Sequence, residues 1–301
     1  MMYREPLYSK SKRAVSRRDF LRLLKIAGLD LAFLAFGSGI YMSKFEPSWL
    51  EVTELKLKLP HLPKSFSGFR LVQISDLHFS GWMNAKRLTE VMSAVSSLSP
   101  DLLAITGDFA LAHFRRSQGE DQERYAELIQ VLSNYTGEYM TVGSMGNHDY
   151  WVDPVVMQSI FKDSGILDLS NTVHVLKNGG ESLCLAGVDD IWYSQDRLDL
   201  VEAQVPQGMC AILLAHEPDF ADTSARNGRF DLQISGHSHG GQIVLPFIGP
   251  PILPRLGKKY AQGLYRVGDM FQYTNRGVGM IPPYLRLNCR PEITLFTLES
   301  V

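Results

Sequence analysis

A short apolar run, Tyr139-Met140-Thr141-Val142-Gly143-Ser144-Met145, leads directly into Gly146-Asn147-His148-Asp149. Four other stretches have the same build, in which an apolar run ends in side chains that bind metal ions: Ile74-Ser75-Asp76-Leu77-His78, Ile105-Thr106-Gly107-Asp108, Leu213-Leu214-Ala215-His216 and Ile234-Ser235-Gly236-His237-Ser238-His239. Short apolar runs broken by Gly and polar residues indicate buried strands. Because open α/β sheets place their sites beyond the carboxyl ends of strands, the sequence predicts one site at which five strands end.

Any one of these stretches alone could be an ordinary polar loop, since Asp and Asn are frequent in turns. Their shared order is harder to explain in that way. The order Asp-x-His, Gly-Asp, Gly-Asn-His-Asp, His, Gly-His-x-His resembles that of the calcineurin-like metallophosphoesterase family, over about residues 69 to 298. The resemblance implies an α/β fold in which two mixed β-sheets pack face to face with helices on the outer faces.

The apolar patterns along the chain independently predict alternating strands and helices. Asn84 is a candidate N-cap for the first of the helices that follow a strand. The predicted strands are 52–59, 69–75, 101–106, 139–145, 173–176, 182–188, 210–215, 230–235, 271–274 and 293–298, and the predicted helices are 84–98, 123–132 and 154–161. After residue 68 there is no repeat, linker or low-complexity tract, so we expect one catalytic domain over residues 43–301.

Charge divides the chain into a basic start and an acidic body. Residues 1–40 contain eight Lys or Arg against three acidic residues, a formal charge of +5, so the remainder carries −7 of the total of −2. An acidic body argues against a nucleic-acid partner, because such binders neutralise phosphates with basic side chains. A phosphodiester substrate is the partner that the family resemblance implies.

The basic start contains Ser16-Arg17-Arg18-Asp19-Phe20-Leu21-Arg22 ahead of a mildly apolar stretch at 23–41. This arrangement resembles a twin-arginine export signal, and the alternative is a disordered basic tail followed by a packed helix. The signal implies the twin-arginine translocation machinery as a partner, and a location in the periplasm or at the outer face of the cytoplasmic membrane. The uninterrupted apolar part, 31–42, has twelve residues, whereas a spanning helix needs about 20. Residues 1–42 are thus a cleaved signal or a retained membrane anchor.

The family resemblance assigns the metal ligands residue by residue. It implies that Asp76, His78, Asp108 and His239 hold one divalent metal ion, that Asp108, Asn147, His216 and His237 hold the other, and that Asp108 bridges them. The ligands combine oxygen and imidazole nitrogen without sulfur, which suits Mn, Fe or Zn better than Mg or Ca. Two divalent ions about 3.5–4 Å apart activate a water and clamp the oxygens in phosphoryl transfer, so hydrolysis of a phosphoester is expected.

Of the remaining histidines and the cysteines, only His148 has a predicted role in catalysis. By resemblance, His148 donates a proton to the leaving group, and Asp149 fits the carboxylate that orients this imidazole or raises its pKa. His61, His113 and His174 belong to no such pattern and are predicted to be surface or packing residues. Cys184, Cys210 and Cys289 have no metal-binding spacing, and we expect buried free thiols.

A proline-rich apolar segment, residues 244–254, follows the last two candidate ligands. It is either a loop packed on the sheet or a wall for a lipid-bearing or membrane-borne substrate, with Arg255, Lys258 and Lys259 available to meet a phosphate. The main hypothesis is an exported, metal-dependent phosphodiesterase of the twin-arginine-exported type. The alternatives are a UDP-diacylglucosamine-type lipid pyrophosphohydrolase and a non-catalytic cell-wall-binding module.

Overall fold

The described chain, residues 16–111 and 118–301 of a computed structural model, forms twelve strands and seven α-helices. The strands are β1 (Glu51–Leu59), β2 (Arg70–Ile74), β3 (Leu102–Thr106), β4 (Met140–Ser144), β5 (Leu167–Asp168), β6 (Thr172–Asn178), β7 (Glu181–Gly187), β8 (Ala211–Leu214), β9 (Leu232–Ser235), β10 (Gly263–Val267), β11 (Met270–Thr274) and β12 (Glu292–Ser300). The helices are α1 (Arg17–Ile40), α2 (Ala85–Ser97), α3 (Gln118–Thr136), α4 (Asn147–Val152), α5 (Pro154–Asp163), α6 (Leu198–Gln204) and α7 (Ala221–Ser224).

The strands form two six-stranded mixed sheets. The first has the order β1-β12-β2-β3-β4-β5, in which β2 to β5 are parallel and β12 runs antiparallel to β2. The second has the order β10-β11-β9-β8-β7-β6, in which β7, β8, β9 and β11 are parallel and both edge strands are antiparallel to their neighbours. The parallel strands are joined through helices, as the alternating apolar patterns predict.

The two sheets pack face to face because each parallel strand is apolar on both sides. In β3, Leu102 and Ala104 point into the core between the sheets, whereas Leu103 and Ile105 contact the helices outside. The same alternation occurs in β8, where Ile212 faces the other sheet. Helices α2, α3 and α5 cover the first sheet, and α6 and α7 cover the second. The predicted fold class is therefore confirmed.

A polar contact joins the two sheets just below the strand ends that carry the candidate ligands. Gln73 of β2 is fully buried and donates from Nε2 to Thr106 Oγ1 of the same sheet and to Ser235 O of the other, both at 2.9 Å. A buried amide must find partners with good geometry. These hydrogen bonds therefore restrict how the two sheets lie relative to each other next to the site.

The first helix after a strand shows how closely the pattern predicts local structure. Asn84 caps α2, and its side chain accepts a hydrogen bond from Arg87 N at 3.1 Å. The apolar positions of α2 at helical spacing are buried against the first sheet. Helix α3 begins earlier and ends later than the predicted 123–132, whereas β10, α6 and α4 are not among the predicted elements.

The N-terminal helix α1 begins at the arginine pair, with Ser16 as its N-cap, and continues into a π-helical segment, Tyr41–Phe45. This segment is tied to the body, because Arg286 N donates to Met42 O and Cys289 N donates to Glu46 Oε1. None of the helices within the described ranges is both long and apolar enough to cross a membrane.

Candidate metal centre

The five predicted strand ends meet at one edge of the molecule, where β2, β3 and β4 of the first sheet face β8 and β9 of the second. The structure brings together all seven side chains predicted to bind metal. All are at most 6% exposed: Asp76, His78, Asp108, Asn147, His216, His237 and His239. The convergence follows from the parallel order of these strands, whose carboxyl ends share one edge of each sheet.

The histidine and carboxylate members of this set form two compact groups. Asp76, His78 and His239 place one ligand atom each within 4.8 Å of the others, and Asp108, His216 and His237 do the same. Asp108 lies between the groups, since its Oδ2 is 3.2 Å from His216 Nε2 and 3.6 Å from His78 Nε2. This division is the one that the resemblance implies.

The backbone at these residues is strained in a consistent way. Five of the seven candidate ligands are non-glycine residues with positive φ, between 45° and 68°: Asp76, His78, Asp108, His237 and His239. Left-handed backbone costs an L-residue about 1–2 kcal/mol, and such strain clusters at functional sites. The sequence pattern gave no indication of this strain.

Glycine is required at two neighbouring positions for steric reasons. Gly107 has φ +88°, and a Cβ atom there would collide with the ring of His216. A Cβ atom on Gly236 would collide with the side chains of Ser75 and Asp76. These glycines therefore permit close approach of the loops as well as the sharp backbone turn before the next ligand.

Hydrogen bonds from the second nitrogen of two imidazoles fix which nitrogen is left for a cation. His216 donates from Nδ1 to Thr106 O at 2.7 Å, which leaves Nε2 facing Asp108. His237 donates from Nε2 to Arg255 O at 2.8 Å, which leaves Nδ1 as the free lone pair. Such partners set the tautomer and orientation of metal-binding histidines.

The protonation states favour cation binding at His78, His237 and Asp108, but not at His216. Burial lowers the pKa of His78 well below its usual value and that of His237 to about 4, so both imidazoles are neutral at pH 7. Burial alone would raise the pKa of Asp108, but the charges of His216 and His148 lower it well below its usual range. Burial alone would lower the pKa of His216, but Asp108 raises it, so a cation must displace a proton there.

Two contacts test whether these residues fit divalent cations. His78 Nε2 and His239 Nε2 lie 2.9 Å apart in stacked rings, where one donates a hydrogen bond to the other, so both nitrogens are aimed at one position. Asn147 Oδ1 is buried and accepts no hydrogen bond. A buried oxygen without a partner is costly unless a ligand or water binds it. The set therefore fits cations with oxygen and imidazole ligands.

Asp149 does not contact the imidazole of His148, so the prediction that it orients this residue or raises its pKa is wrong. Its Oδ1 accepts hydrogen bonds from Phe109 N and Ala110 N, and its Oδ2 accepts one from Gly146 N at 3.0 Å. Asp149 occupies the third position of α4, from which a side chain reaches back to the N-cap backbone. It joins the loop after β3 to the loop after β4.

His148 lies beside the ligands, and one of its ring nitrogens forms a third group with ligand atoms of His78 and Asp108, all within 4.8 Å of one another. Its ring packs edge-on against His78, with centroids 4.6 Å apart, and against Trp151, at 4.1 Å. Its Nδ1 has no hydrogen-bond partner, and burial lowers its pKa below the usual value. The backbone N–H of His148 donates to Asp108 Oδ1 at 2.8 Å.

A cavity of about 340 Å³ opens beside Asp108, Asn147 and His148. Its walls are mostly apolar and include Trp151, Trp192, Pro251, Pro254, Ile281 and Pro283. The predicted segment 244–254 thus forms one wall through Pro251, Ile252 and Pro254. Trp151 could have been found from its position two residues after Asp149, whereas Trp192 and residues 281–283 carry no signal in the sequence.

Arg286 is another residue that the sequence does not single out. Its side chain is fully buried and donates to four carbonyl oxygens, from Nη1 to Cys289 at 2.9 Å and from Nη2 to Arg276, Gly277 and Gly279 at 2.7–3.0 Å. Gly279 N in turn donates to Asp76 O at 2.8 Å. The guanidinium therefore holds the segment that supports one of the candidate ligands.

The other predicted residues have mixed outcomes. Lys259 is not available for a phosphate, because its amine pairs with Asp222 at 2.7 Å. Arg255 lies over the Trp192 ring at 5.8 Å, at the cavity. His61 is a surface residue that pairs with Asp231, His174 is half-buried in β6, and His113 lies outside the described residues. The three cysteines are buried and free, as predicted.

Comparison with known proteins gives the relationships of this chain. The sequence pattern of the family described as calcineurin-like phosphoesterase matches residues 69–241. The chain is 33% identical over 288 residues to the uncharacterized metallophosphoesterase YkuE of Bacillus subtilis (strain 168), covering 95% of this chain and 98% of that relative. It is 31% identical over 289 residues to phosphodiesterase YaeI of Escherichia coli (strain K12), covering 94% and 99%. A solved structure, of a dimetal phosphatase from Danio rerio, is a looser match, with a TM-score of 0.49 and 11% identity over 73% of this chain and 91% of that one.

The family match covers more than half of the chain, and both relatives align along nearly their whole length. The matched range begins before Asp76 and ends after His239, so it contains every candidate ligand and His148. The chain therefore belongs to the calcineurin-like phosphoesterase family.

Proposed function

We propose that this protein is a phosphodiesterase that uses two divalent metal ions and acts outside the cytoplasmic membrane. Its family supports metal-dependent hydrolysis of phosphoesters, and the relative YaeI carries the name phosphodiesterase. The observation that carries the proposal is Asp108, whose Oδ2 lies within 3.6 Å of an imidazole nitrogen from each group. One carboxylate between two ligand groups is what a bridged pair of cations requires.

The side chains divide into the two ligand sets stated for the family. Asp76, His78 and His239 with Asp108 would hold one cation, and Asn147, His216 and His237 with Asp108 would hold the other. Bound cations of this kind activate a water and stabilise charge on the phosphoryl oxygens. Mn, Fe and Zn all suit these ligands. The hydrogen bonds of His216 and His237 keep His216 Nε2 and His237 Nδ1 aimed at the site before anything binds.

His148 is the proposed proton donor to the leaving oxygen. It lines the cavity, it belongs to neither proposed ligand set, and packing against His78 and Trp151 fixes its ring. A bound phosphodiester would place negative charge beside the imidazole and favour its protonated form, while burial makes the imidazolium a stronger acid than usual. Asp149 plays no direct part in this step, because it binds only backbone N–H groups near the site.

The cavity favours a diester with an apolar substituent. Its apolar walls are of two kinds, aromatic rings such as Trp151 and Trp192 and rigid prolines such as Pro251 and Pro283. These side chains can bury hydrocarbon or stack on a ring, but they donate few hydrogen bonds to a substrate. A lipid-bearing phosphodiester matches these walls, and so does a lipid pyrophosphate of the UDP-diacylglucosamine type, which is the second candidate substrate. A non-catalytic cell-wall module would not require the complete ligand set found here.

Export by the twin-arginine route is the basis of the proposed location. Arg17 and Arg18 form the start of α1 directly after the N-cap Ser16, in the order that resembles the signal. The proposed location is the periplasm or the outer face of the cytoplasmic membrane.

Metal content and turnover test the proposed function together. Protein stripped with a chelator and reloaded with Mn should bind about two equivalents and hydrolyse at least one member of a panel of nucleotide, glycerophospho and lipid phosphodiesters. Asp108→Asn should bind less metal and lose turnover, because the two cations lose the charge between them. Asp199→Asn, at an exposed ion pair with Arg197, is the matched control.

Two results would contradict the proposal in different ways. Full metal content and near-normal turnover of Asp108→Asn would show that the bridge is assigned to the wrong residue. If the wild-type protein holds two equivalents of metal but hydrolyses no diester on the panel, the proposed phosphodiesterase activity is wrong.

A further inference from the structure

The wall of the cavity formed by segment 244–254 also projects apolar side chains into solvent. Phe247 is fully exposed, and Ile248 and Ile252 are 76% and 79% exposed. The backbone holds them there, because Leu245 and Gly249 exchange both of their backbone hydrogen bonds at 2.9–3.0 Å and close a tight turn. We call Phe247, Ile248 and Ile252 the apolar tip. Large apolar side chains grouped on the surface indicate an interaction site.

One basic side chain, Lys258, lies beside the apolar tip. Residues 232–291 contain seven Lys or Arg and a single acidic residue, Asp269, but Lys259, Arg266 and Arg276 form ion pairs and Arg286 is buried. Lys258 lies against Pro250 and Ile252 of the segment. Within the described ranges, neither the Lys258 amine nor the Arg255 guanidinium forms an ion pair. An apolar projection flanked by free cations complements an anionic interface.

The segment that carries the apolar tip adjoins the N-terminal region. Val244 N donates to Leu287 O at 2.8 Å, and Arg286 N donates to Met42 O at 2.9 Å, so three chain segments lie side by side. Phe45, at the end of the third segment, is 63% exposed. The surface that carries the apolar tip thus adjoins the region where α1 leaves the body.

We propose that the apolar tip docks on an anionic phospholipid bilayer, with Phe247 and Ile248 inserted at the interface and Lys258 among the head groups. Ile252 belongs to both the tip and the cavity wall, so docking brings the cavity opening to the lipid surface. This placement would let a lipid phosphodiester pass from the bilayer to the candidate metal ligands without crossing water. That advantage rests on the proposed function. Docking itself is measurable without turnover.

The dimensions of the tip favour a bilayer over a second copy of this chain. Stable protein dimers bury about 1,200–2,000 Å² in total and use a broad complementary surface. Three protruding side chains on one short segment do not provide such a surface. Peripheral membrane binding needs only a few inserted apolar groups together with basic residues at the head groups.

A fluorescent label at the tip tests the proposal with the full chain. Ile248→Cys can be labelled selectively with the environment-sensitive fluorophore NBD, because the native cysteines are buried. Val301→Cys is the matched control, since Val301 is 82% exposed at the end of β12, which runs antiparallel to β2 and therefore away from the site. The label at position 248 should shift to the blue with vesicles of phosphatidylcholine and phosphatidylglycerol, and the label at position 301 should not.

Two variants give the expected magnitudes. Phe247→Ser combined with Ile248→Ser should weaken sedimentation with these vesicles at least about tenfold, because two apolar side chains lose their insertion. Lys258→Gln should weaken it about fivefold and only with anionic vesicles. Equal melting temperatures of the variants and the parent chain would show that the fold is intact.

Three outcomes would overturn the proposal. Sedimentation without a blue shift at position 248 would mean that α1 alone binds the vesicles. A shift that needs no lipid and grows with protein concentration would mean that a second copy covers the tip. A blue shift equal on vesicles with and without phosphatidylglycerol would remove the role of charge. All of these measurements are made in a metal chelator, so docking is measured in the absence of hydrolysis. Failure of the proposed function would therefore not affect the outcome of this test.

Discussion

Replacing Arg286 by lysine should destabilise the protein and weaken metal binding at the same time. The guanidinium uses two nitrogens to reach four carbonyl oxygens in the buried segment 276–289. A lysine keeps the charge, but its single nitrogen has three donors and a different geometry. We expect two of the four carbonyl contacts to be lost, each worth about 1.5–3 kcal/mol when the donor is charged. The expected loss in the free energy of unfolding is about 3–6 kcal/mol.

Thermal unfolding provides the measurement. For a chain of this size each kcal/mol shifts the Tm by about 2–4 °C, so the expected decrease is about 6–24 °C. Arg266→Lys is the matched control, because this arginine is half-exposed at 47% and should shift the Tm only slightly. Metal content should fall as well, because Gly279, one of the carbonyls held by Arg286, supports Asp76 through its N–H group. The reasoning fails if Arg286→Lys melts within the range of the Arg266→Lys control.

Three further results are expected. His148→Ala should slow hydrolysis of alkyl diesters by about 10²–10⁴-fold and that of nitrophenyl diesters far less, because a nitrophenolate leaves without a proton. Equal losses on both substrates would indicate that His148 positions the phosphate instead. Arg17→Lys with Arg18→Lys should retain the protein in the cytoplasm, as cell fractionation would show, and normal export would remove the twin-arginine interpretation. Burial alone would raise the pKa of Glu292, but its contact with Arg276 lowers it. The pair therefore stabilises the fold above about pH 4.3, the usual pKa of a glutamate. This stabilisation is lost as the pH falls through the lower pKa that Glu292 has in the folded state. Acid titrations of Glu292→Gln should lack that part of the decrease, and an unchanged profile would assign acid unfolding to other groups.

The sequence predicted which side chains come together because its parallel strands are short, continuous apolar runs that end in the candidate ligands themselves. Strands buried on both faces carry this simple pattern, and the parallel order places their ends together. The ends of β2 and β9, with Asp76 and His237, are examples. Nothing in that argument depends on contacts between distant segments.

Features set by distant contacts were missed or wrong. Asp149 follows His148 directly, yet the helical turn at Asn147 directs its carboxylate toward Phe109 N and away from the imidazole. Residues 281–283 of the cavity wall lie about 40 residues after His239 in the sequence. The two line the same cavity only because the fold of the second sheet brings them together. β10 was missed because its half-exposed alternation is weaker than the patterns of the buried strands.

The position of β12 determines when the first sheet can form. Glu292–Ser300 is the last strand of the described chain, yet it lies between β1 and β2, and β1 pairs with no other strand in the described part. During synthesis, β1 and β2 must therefore wait for more than 200 residues before the strand between them emerges. Pairings of such high contact order are slow. A translocation route that accepts only folded chains would thus act on this protein after translation, when the last strand has been inserted.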